Sequence, residues 1–118
     1  MPPATVTAIN LDCADPHDLA RFWAHLLGGE VVVETPGFCA VTTGALHLGA
    51  VRVENYQPPT WPSSERPQQI HLDLTVDDLD SAEAEAIRLG ATKAAYQPSP
   101  ERSRVLSDPA GHPFCLRA

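Results

Sequence analysis

The stretch Ile9-Asn10-Leu11-Asp12 returns as Ile70-His71-Leu72-Asp73, 61 residues later in a chain of 118 residues. Each copy alternates apolar and polar side chains, which is the period of a β-strand with one buried face. Each copy also leads into an acidic residue and then into an apolar pattern with helical spacing. A unit that occurs only twice is too few for a solenoid. We therefore interpret the chain as a duplicated module within one domain.

Helix signals follow both copies of the stretch. In the first module Asp15 suits the N-cap, Pro16 suits the first helical position, and Gly28 ends the apolar pattern. Trp23 lies on the apolar stripe of this helix, so we expect it in the core. The second helix is predicted over 78–89, followed by glycine.

Strand signals complete each module as strand, helix and three further strands. The predicted strands span 5–13, 30–35, 38–43 and 45–53 in the first half, and 69–76, 92–96, 104–107 and 113–117 in the second half. We predict a single domain over residues 1–118, with module one at about 5–53, a proline-rich linker at 54–68 and module two at about 69–117. The expected class is α+β, with two tandem βαβββ modules that form a cupped mixed sheet and carry their helices on the outer face. We expect the site where the modules meet.

Composition narrows the classes of function. A net charge of −7 without a basic cluster argues against nucleic acid and against anionic membrane surfaces. No apolar run is long enough to span a membrane, and Met1-Pro2-Pro3-Ala4 lacks the layout of a signal peptide. Cys13, Cys39 and Cys115 have no metal-ligand or redox spacing. We therefore expect a cytoplasmic protein with reduced thiols and a neutral or cationic small-molecule partner.

The chain resembles the vicinal oxygen chelate superfamily, the glyoxalase, bleomycin-resistance and dioxygenase group. The resemblance is carried by residues 11–16, Phe22-Trp23, residues 71–74 and residues 108–114, and the stretch 56–69 resembles the glyoxalase-like branch. It covers nearly the whole chain, and it implies the glyoxalase/bleomycin-resistance fold and a homodimer. One fold hosts many chemistries, so the resemblance does not define a reaction.

Enzymes of this superfamily typically hold a divalent metal through a His or Gln on the first strand of each module and a Glu on the last strand. His71 occupies such a position in module two, and Asn10, a poor ligand for transition metals, stands opposite it in module one. The last strand of module two offers Cys115. The last strand of module one offers Leu48, or His47 after a shift of one residue. The resemblance thus implies no metal and no cofactor, with a divalent-metal site at His47, His71 and Cys115 as the alternative.

Other side chains are candidates for catalysis or for binding. Asp12 and Asp73 are paired by the repeat and could divide into acid and base, or they could cap turns at the strand ends. His71 is either a catalytic group or an unligated, hydrogen-bonded histidine. Tyr56 and Trp61 lie in the proline-rich linker, where they could stack on a planar ligand or pack against the sheet edge or a second subunit.

By resemblance, we expect a metal-free protein that binds a small organic molecule, of the resistance or sequestration type. Its predicted ligand-binding residues are Asn10, His47, Tyr56, Trp61, His71 and Cys115. The alternative is an enzyme of the lyase, isomerase or dioxygenase-like kind. It would use an atypical metal at His71, or His71, Asp12 and Asp73 as catalytic acid–base groups. A third alternative is a domain that only dimerises or regulates.

Overall fold

The order strand, helix, strand, strand, strand occurs twice, as the sequence predicts. The computed structural model describes residues 2–118, and the chain divides after Tyr56 into two compact units, which we call unit 1 and unit 2. Unit 1 contains β1 (Ala8–Cys13), α1 (Pro16–Leu27), β2 (Glu30–Glu34), β3 (Phe38–Thr42) and β4 (His47–Arg52). Unit 2 contains β5 (Leu72–Thr75), α2 (Leu79–Leu89), β6 (Thr92–Lys93), β7 (Ser103–Ser107) and β8 (Pro113–Arg117).

Each unit forms a four-stranded mixed sheet with the same strand order. The order is β1-β4-β3-β2 in unit 1 and β5-β8-β7-β6 in unit 2. In both sheets the first strand runs parallel to the last, and the remaining neighbours are antiparallel. Two mixed sheets with two helices confirm the predicted α+β class and the duplication.

Apolar packing holds α1 to the sheet of unit 1. The helix begins where Asp15 accepts hydrogen bonds from the backbone N–H groups of His17 and Asp18, and it ends at Gly28, which has a φ of 67°. The rings of Phe22 and Trp23 meet edge to face, with centroids 5.2 Å apart. The core of unit 1 contains Cys13, Leu19, Phe22, Trp23, Cys39, Val41 and Leu48. The predicted burial of Trp23 is therefore confirmed.

In unit 2, the attachment of α2 to its sheet includes ion pairs in addition to apolar packing. This helix buries only Leu79 and Ala86. On β7, the guanidinium of Arg104 donates hydrogen bonds to Glu83 Oε1 at 3.0 Å and to Asp80 Oδ1 at 2.9 Å. The apolar part of the core comes from the strands, chiefly Leu106, Phe114 and Leu116.

Two strands of unit 2 are shorter than predicted. The strand expected over 69–76 begins at Leu72, because its neighbour β8 begins at Pro113, which has no N–H to donate to the ladder. The strand expected over 92–96 ends at Lys93. Beyond that point the side chain of Gln97 replaces a strand, since it donates to the carbonyls of Ala94 and Val105.

Candidate functional site

The sheet face of unit 2 that lies opposite α2 collects polar side chains. Residues alternate between the two faces of a strand, and β5 pairs with β8 so that Asp73 lies beside Cys115. Arg117, two residues further along β8, lies on the same face. Leu116 belongs to the opposite face and is buried. We call the polar side the unit 2 open face.

Asp73 lies at the centre of a cluster on the unit 2 open face. Its Oδ1 is 3.4 Å from Nε2 of His71, and its Oδ2 is 3.4 Å from Nε of Arg117. The donor atoms of His71, Asp73 and Cys115 all lie within 4.8 Å of one another. The carboxylate of Asp73 therefore lies between the imidazole of His71 and the guanidinium of Arg117.

Cys115 is held in its protonated form. Burial raises the pKa of this thiol above its ordinary value, and the carboxylate of Asp73 raises it further, while Arg117 acts in the opposite direction. A nucleophilic cysteine needs a lowered pKa or an adjacent base that removes its proton. The surroundings of Cys115 therefore suit contact with a ligand better than covalent catalysis.

A cavity of about 370 Å³ opens on the unit 2 open face. Its volume lies within the range of pockets that bind small molecules, about 300–1,000 Å³. The lining combines one aromatic side chain, several polar and positively charged side chains, and apolar residues. These residues are Trp61, Gln68, His71, Pro98, Ser99, Arg102, Ser103, Val105, Pro113, Cys115 and Arg117.

The proline-rich stretch after Tyr56 belongs to unit 2 and brings Trp61 to the cavity. The ring of Trp61 stacks on Tyr96, with centroids 5.7 Å apart and an interplanar angle of 29°. Internal hydrogen bonds hold this stretch in place: the N–H of Thr60 donates to the carbonyl of Arg66 at 2.7 Å, and Nε of Arg66 donates to the carbonyl of Pro58 at 2.8 Å. Trp61 is therefore a supported wall of the cavity.

On the corresponding face of unit 1, the side chains of Asn10 and Phe38 cover Gly49. Asn10 is paired with Gly49 across the sheet, and a Cβ placed on Gly49 would overlap Oδ1 of Asn10 and lie 2.9 Å from the ring of Phe38. Asp12 is paired with Val51, whereas Asp73 in unit 2 is paired with Cys115. The position equivalent to Cys115 is thus an apolar residue in unit 1.

The register of β4 determines which of the two candidate residues, His47 or Leu48, lies on the sheet face opposite α1. His47 pairs with Ala8, on the face that carries Asn10, whereas Leu48 is buried on the helix side. Tyr56 is half-buried beside an open hollow at the end of unit 1. The structure therefore places Asn10, His47 and Tyr56 in unit 1, and their contact with a ligand stays a prediction.

Of the predicted site residues, His71, Asp73, Cys115 and Trp61 lie in unit 2. Sequence reasoning missed part of the cavity lining, notably Gln68, Ser99, Arg102, Ser103 and Arg117. Arg117 could have been found, because strand alternation from Cys115 places it on the same face. Arg102 lies in a loop without periodicity, so no local signal assigns it to the site.

The three clustered side chains, those of His71, Asp73 and Cys115, are of types that bind zinc. Imidazole nitrogen, carboxylate oxygen and thiolate sulfur are all zinc ligands, with bonds of about 2.0–2.3 Å. The third member of this group is Asp73, which the sequence suggested only as an acid–base residue. His47, from the predicted metal set, belongs to unit 1.

Comparison with known proteins relates the whole chain to one family. The family model described as glyoxalase-like domain matches residues 8–117. No curated protein matches the chain. None of the helices within residues 2–118 is long and apolar enough to cross a membrane.

Several solved structures are similar to this chain. A glyoxalase/bleomycin resistance protein/dioxygenase family enzyme from Burkholderia phytofirmans PsJN has a TM-score of 0.74 and 20% identity, with 96% of this chain and 97% of that chain covered. A fosfomycin resistance protein from Mesorhizobium loti has a TM-score of 0.68 and 17% identity, with coverage of 99% and 92%. The bleomycin-binding protein of Streptomyces verticillus, solved with copper(II)-bleomycin, has a TM-score of 0.62 and 21% identity, with coverage of 100% and 98%. These likenesses establish the fold.

Proposed function

We propose, from the premise that this chain belongs to the glyoxalase-like domain family, that it binds a small organic molecule in the cavity of unit 2. The observation that carries the proposal is a cavity of about 370 Å³ with Trp61 as one wall and polar or charged side chains around it. An aromatic surface with a few placed polar groups is the usual composition of a ligand site.

The details of the cavity support binding without a reaction. Trp61 is backed by Tyr96, so its ring is ordered before a ligand arrives and loses little entropy on binding. The raised pKa of Cys115 argues against a covalent intermediate. The bleomycin-binding protein, which has the same fold, is a precedent for a member that holds a small molecule. We propose a metal-free cytoplasmic homodimer of the resistance or sequestration type.

A fragment screen tests this proposal. We expect ligand-observed NMR with a charge-diverse fragment library to find saturable binders, and Trp61→Ala to weaken them by about 10-fold or more. Trp61→Phe keeps an aromatic surface and is the matched control, so it should retain most of the affinity. The proposal fails if no fragment binds, or if binders are indifferent to Trp61→Ala in protein that remains folded by circular dichroism.

The second candidate is a metal-dependent enzyme, which the proximity of His71, Asp73 and Cys115 favours. All three donor atoms lie within 4.8 Å of one another. A zinc-type ion bound there would supply Lewis-acid chemistry to a bound oxygen. Of the metal-free acid–base set, His71 and Asp73 already lie in contact at 3.4 Å, whereas Asp12 lies in unit 1.

Metal analysis separates the two candidates. Mass spectrometry of untagged protein, followed by zinc titration, would show stoichiometric binding if the second candidate is correct. His71→Ala would then abolish binding, and His47→Ala in unit 1 would be the matched control that retains it. Metal below stoichiometric amounts in both the isolated protein and the titration is the outcome that the binding-protein proposal expects.

A further inference from the structure

We propose that the ligand of the unit 2 cavity is an organic anion, recognised by Arg102 and Arg117. This inference rests on the proposed function, because it names the chemical class that the cavity would select. Both arginines belong to the lining, together with His71. The lining contains no aspartate or glutamate, and the nearest described carboxylate in ion-pair contact with it is that of Asp73, beside His71 and Arg117.

The other positive charges on the sheet and helix of unit 2 are already paired with carboxylates. Arg104 contacts Asp80 and Glu83, and Lys93 lies 3.3 Å from Glu83. Arg88 on α2 pairs with its helix neighbour Glu85. These pairs belong to α2 and to the side of the sheet that it covers, so they leave the cavity cations to other partners.

Arg102 is the unpaired charge of the cavity. Among residues 2–118, no carboxylate lies in ion-pair contact with Arg102, which is an exposed residue of the cavity lining. A guanidinium presents five N–H donors in a planar fork that matches a carboxylate or a phosphate group. An anionic ligand would supply the partner that the protein does not.

Arg117 is oriented for the same task. Its Nε lies 3.4 Å from Oδ2 of Asp73, and this ion pair keeps the side chain on the cavity side of the sheet. The side chain is 56% exposed, so the remaining donors are accessible. Asp73 thus positions Arg117 and also lies beside His71 on its other oxygen.

The rest of the lining describes the body of this anion. Trp61 and Val105 offer apolar surface, which suits a planar or aromatic skeleton. Oε1 of Gln68 is a buried acceptor with no hydrogen-bond partner among residues 2–118, so a ligand hydroxyl or N–H would satisfy it. The class is therefore a small planar anion with a hydrogen-bond donor. It replaces the neutral or cationic partner expected from the net charge of −7, because local charge and not total charge faces the ligand.

Three probes of one skeleton test the inference: 4-hydroxybenzoate, 4-hydroxybenzamide and 4-hydroxybenzylamine, which are anionic, neutral and cationic at neutral pH. Binding is measured by ligand-observed NMR and calorimetry at low salt. We expect the anion to bind at least about 10-fold more tightly than the amide, because hydrogen bonds between charged groups are the stronger ones. We expect Arg102→Gln and Arg117→Gln each to remove about 10-fold of that affinity. Arg88→Gln, on the helix of the same unit, is the matched control and should change nothing.

The outcomes distinguish this inference from the function on which it rests. Preference for the anion that disappears in the two arginine variants supports both. Equal or tighter binding of the amide or the amine overturns the inference and leaves small-molecule binding intact. If none of the three probes binds while other library fragments do, the inference is again overturned. If no fragment of any charge binds, both proposals fail.

Discussion

Units 1 and 2 have the same order of strands around the same kind of helix, yet different forces hold the two helices in place. In unit 1, α1 buries Leu19, Phe22 and Trp23 against its sheet. In unit 2, α2 buries little apolar surface, and Arg104 reaches from β7 to two carboxylates of the helix. The attachment of α1 is therefore mainly apolar, whereas the attachment of α2 includes ion pairs.

The sheet faces opposite the two helices also differ between the units. Asn10 covers Gly49 in unit 1, so that part of the face is closed by the protein itself. The equivalent face of unit 2 carries His71, Asp73, Cys115 and the cavity. Polar side chains occur on both faces, but a cavity with His71 and Cys115 in its lining is found on that of unit 2.

The largest difference should appear when apolar side chains are removed from the two helices. Leu19 of α1 is 1% exposed, so Leu19→Ala should lower the free energy of unfolding by about 2–5 kcal/mol. Ile87 of α2 is 44% exposed, and Ile87→Ala should cost less than about 1 kcal/mol. Urea unfolding followed by circular dichroism measures both. Equal losses would remove the distinction between the helices.

When charged side chains are replaced, we expect the larger loss in the free energy of unfolding in unit 2 and the smaller loss in unit 1. The Arg104 side chain is 16% exposed and Glu83 is 17% exposed, so Arg104→Gln removes the less exposed of the two cations that pair with this partly buried carboxylate and leaves only Lys93. We expect a loss of about 1–3 kcal/mol in the free energy of unfolding. Arg21→Gln breaks a pair between side chains that are 63% and 50% exposed, and it should cost no more than about 0.5 kcal/mol. A larger effect at Arg21 would contradict the assignment of charge-based attachment to unit 2.

A smaller effect tests the closed face of unit 1. A methyl group at residue 49 would collide with Asn10 and Phe38, so Gly49→Ala should lower the free energy of unfolding by about 1–2 kcal/mol. Adding Asn10→Ala should restore part of this loss, because it removes one of the two colliding groups. Gly37→Ala introduces a methyl group into open space and is the control. No rescue in the double variant would mean that Asn10 does not close this face.

The smallest effect concerns the reactivity of Cys115 in the cavity. Because burial and Asp73 raise the pKa of this thiol, its thiolate fraction at pH 8 is low and its alkylation by iodoacetamide should be slow. The rate should rise as pH increases toward the raised pKa. Asp73→Asn removes a negative charge, lowers the pKa of Cys115 and should speed alkylation a few-fold. Arg117→Gln removes the opposing positive charge and should slow it.

Peptide mapping by mass spectrometry follows this reaction at a single cysteine. Cys13 and Cys39 are buried and serve as internal controls that should remain unmodified in folded protein. A change of rate in the same direction for Asp73→Asn and Arg117→Gln would show that charge does not control the thiol.

The sequence allowed the fold to be predicted because every element carries a local signal. Strand alternation, the cap at Asp15 and the glycines after both helices are short-range features, and the repeat showed that they occur twice. The repeat made Asp73 a candidate together with Asp12, and the family resemblance made His71 and Cys115 candidates together with His47.

The parts of the site that were missed depend on pairing between strands and on loops. Comparison of the two modules pointed to Leu48, or to His47 after a shift of one residue, whereas cross-strand pairing places Val51 opposite Asp12, as Cys115 lies opposite Asp73. Such a register follows from hydrogen bonding between distant segments, which a single sequence does not display.

The most direct test of the central claim is to map ligand binding on the two units by two-dimensional ¹H–¹⁵N NMR, with 4-hydroxybenzoate as the probe. The account predicts saturable shifts that are largest for the Trp61 indole and for the amides of Ser103, Cys115 and Arg117, and small for Asn10 and Gly49. Saturable shifts concentrated in unit 1 would contradict the account, because the ligand would then bind unit 1 and not the unit 2 open face.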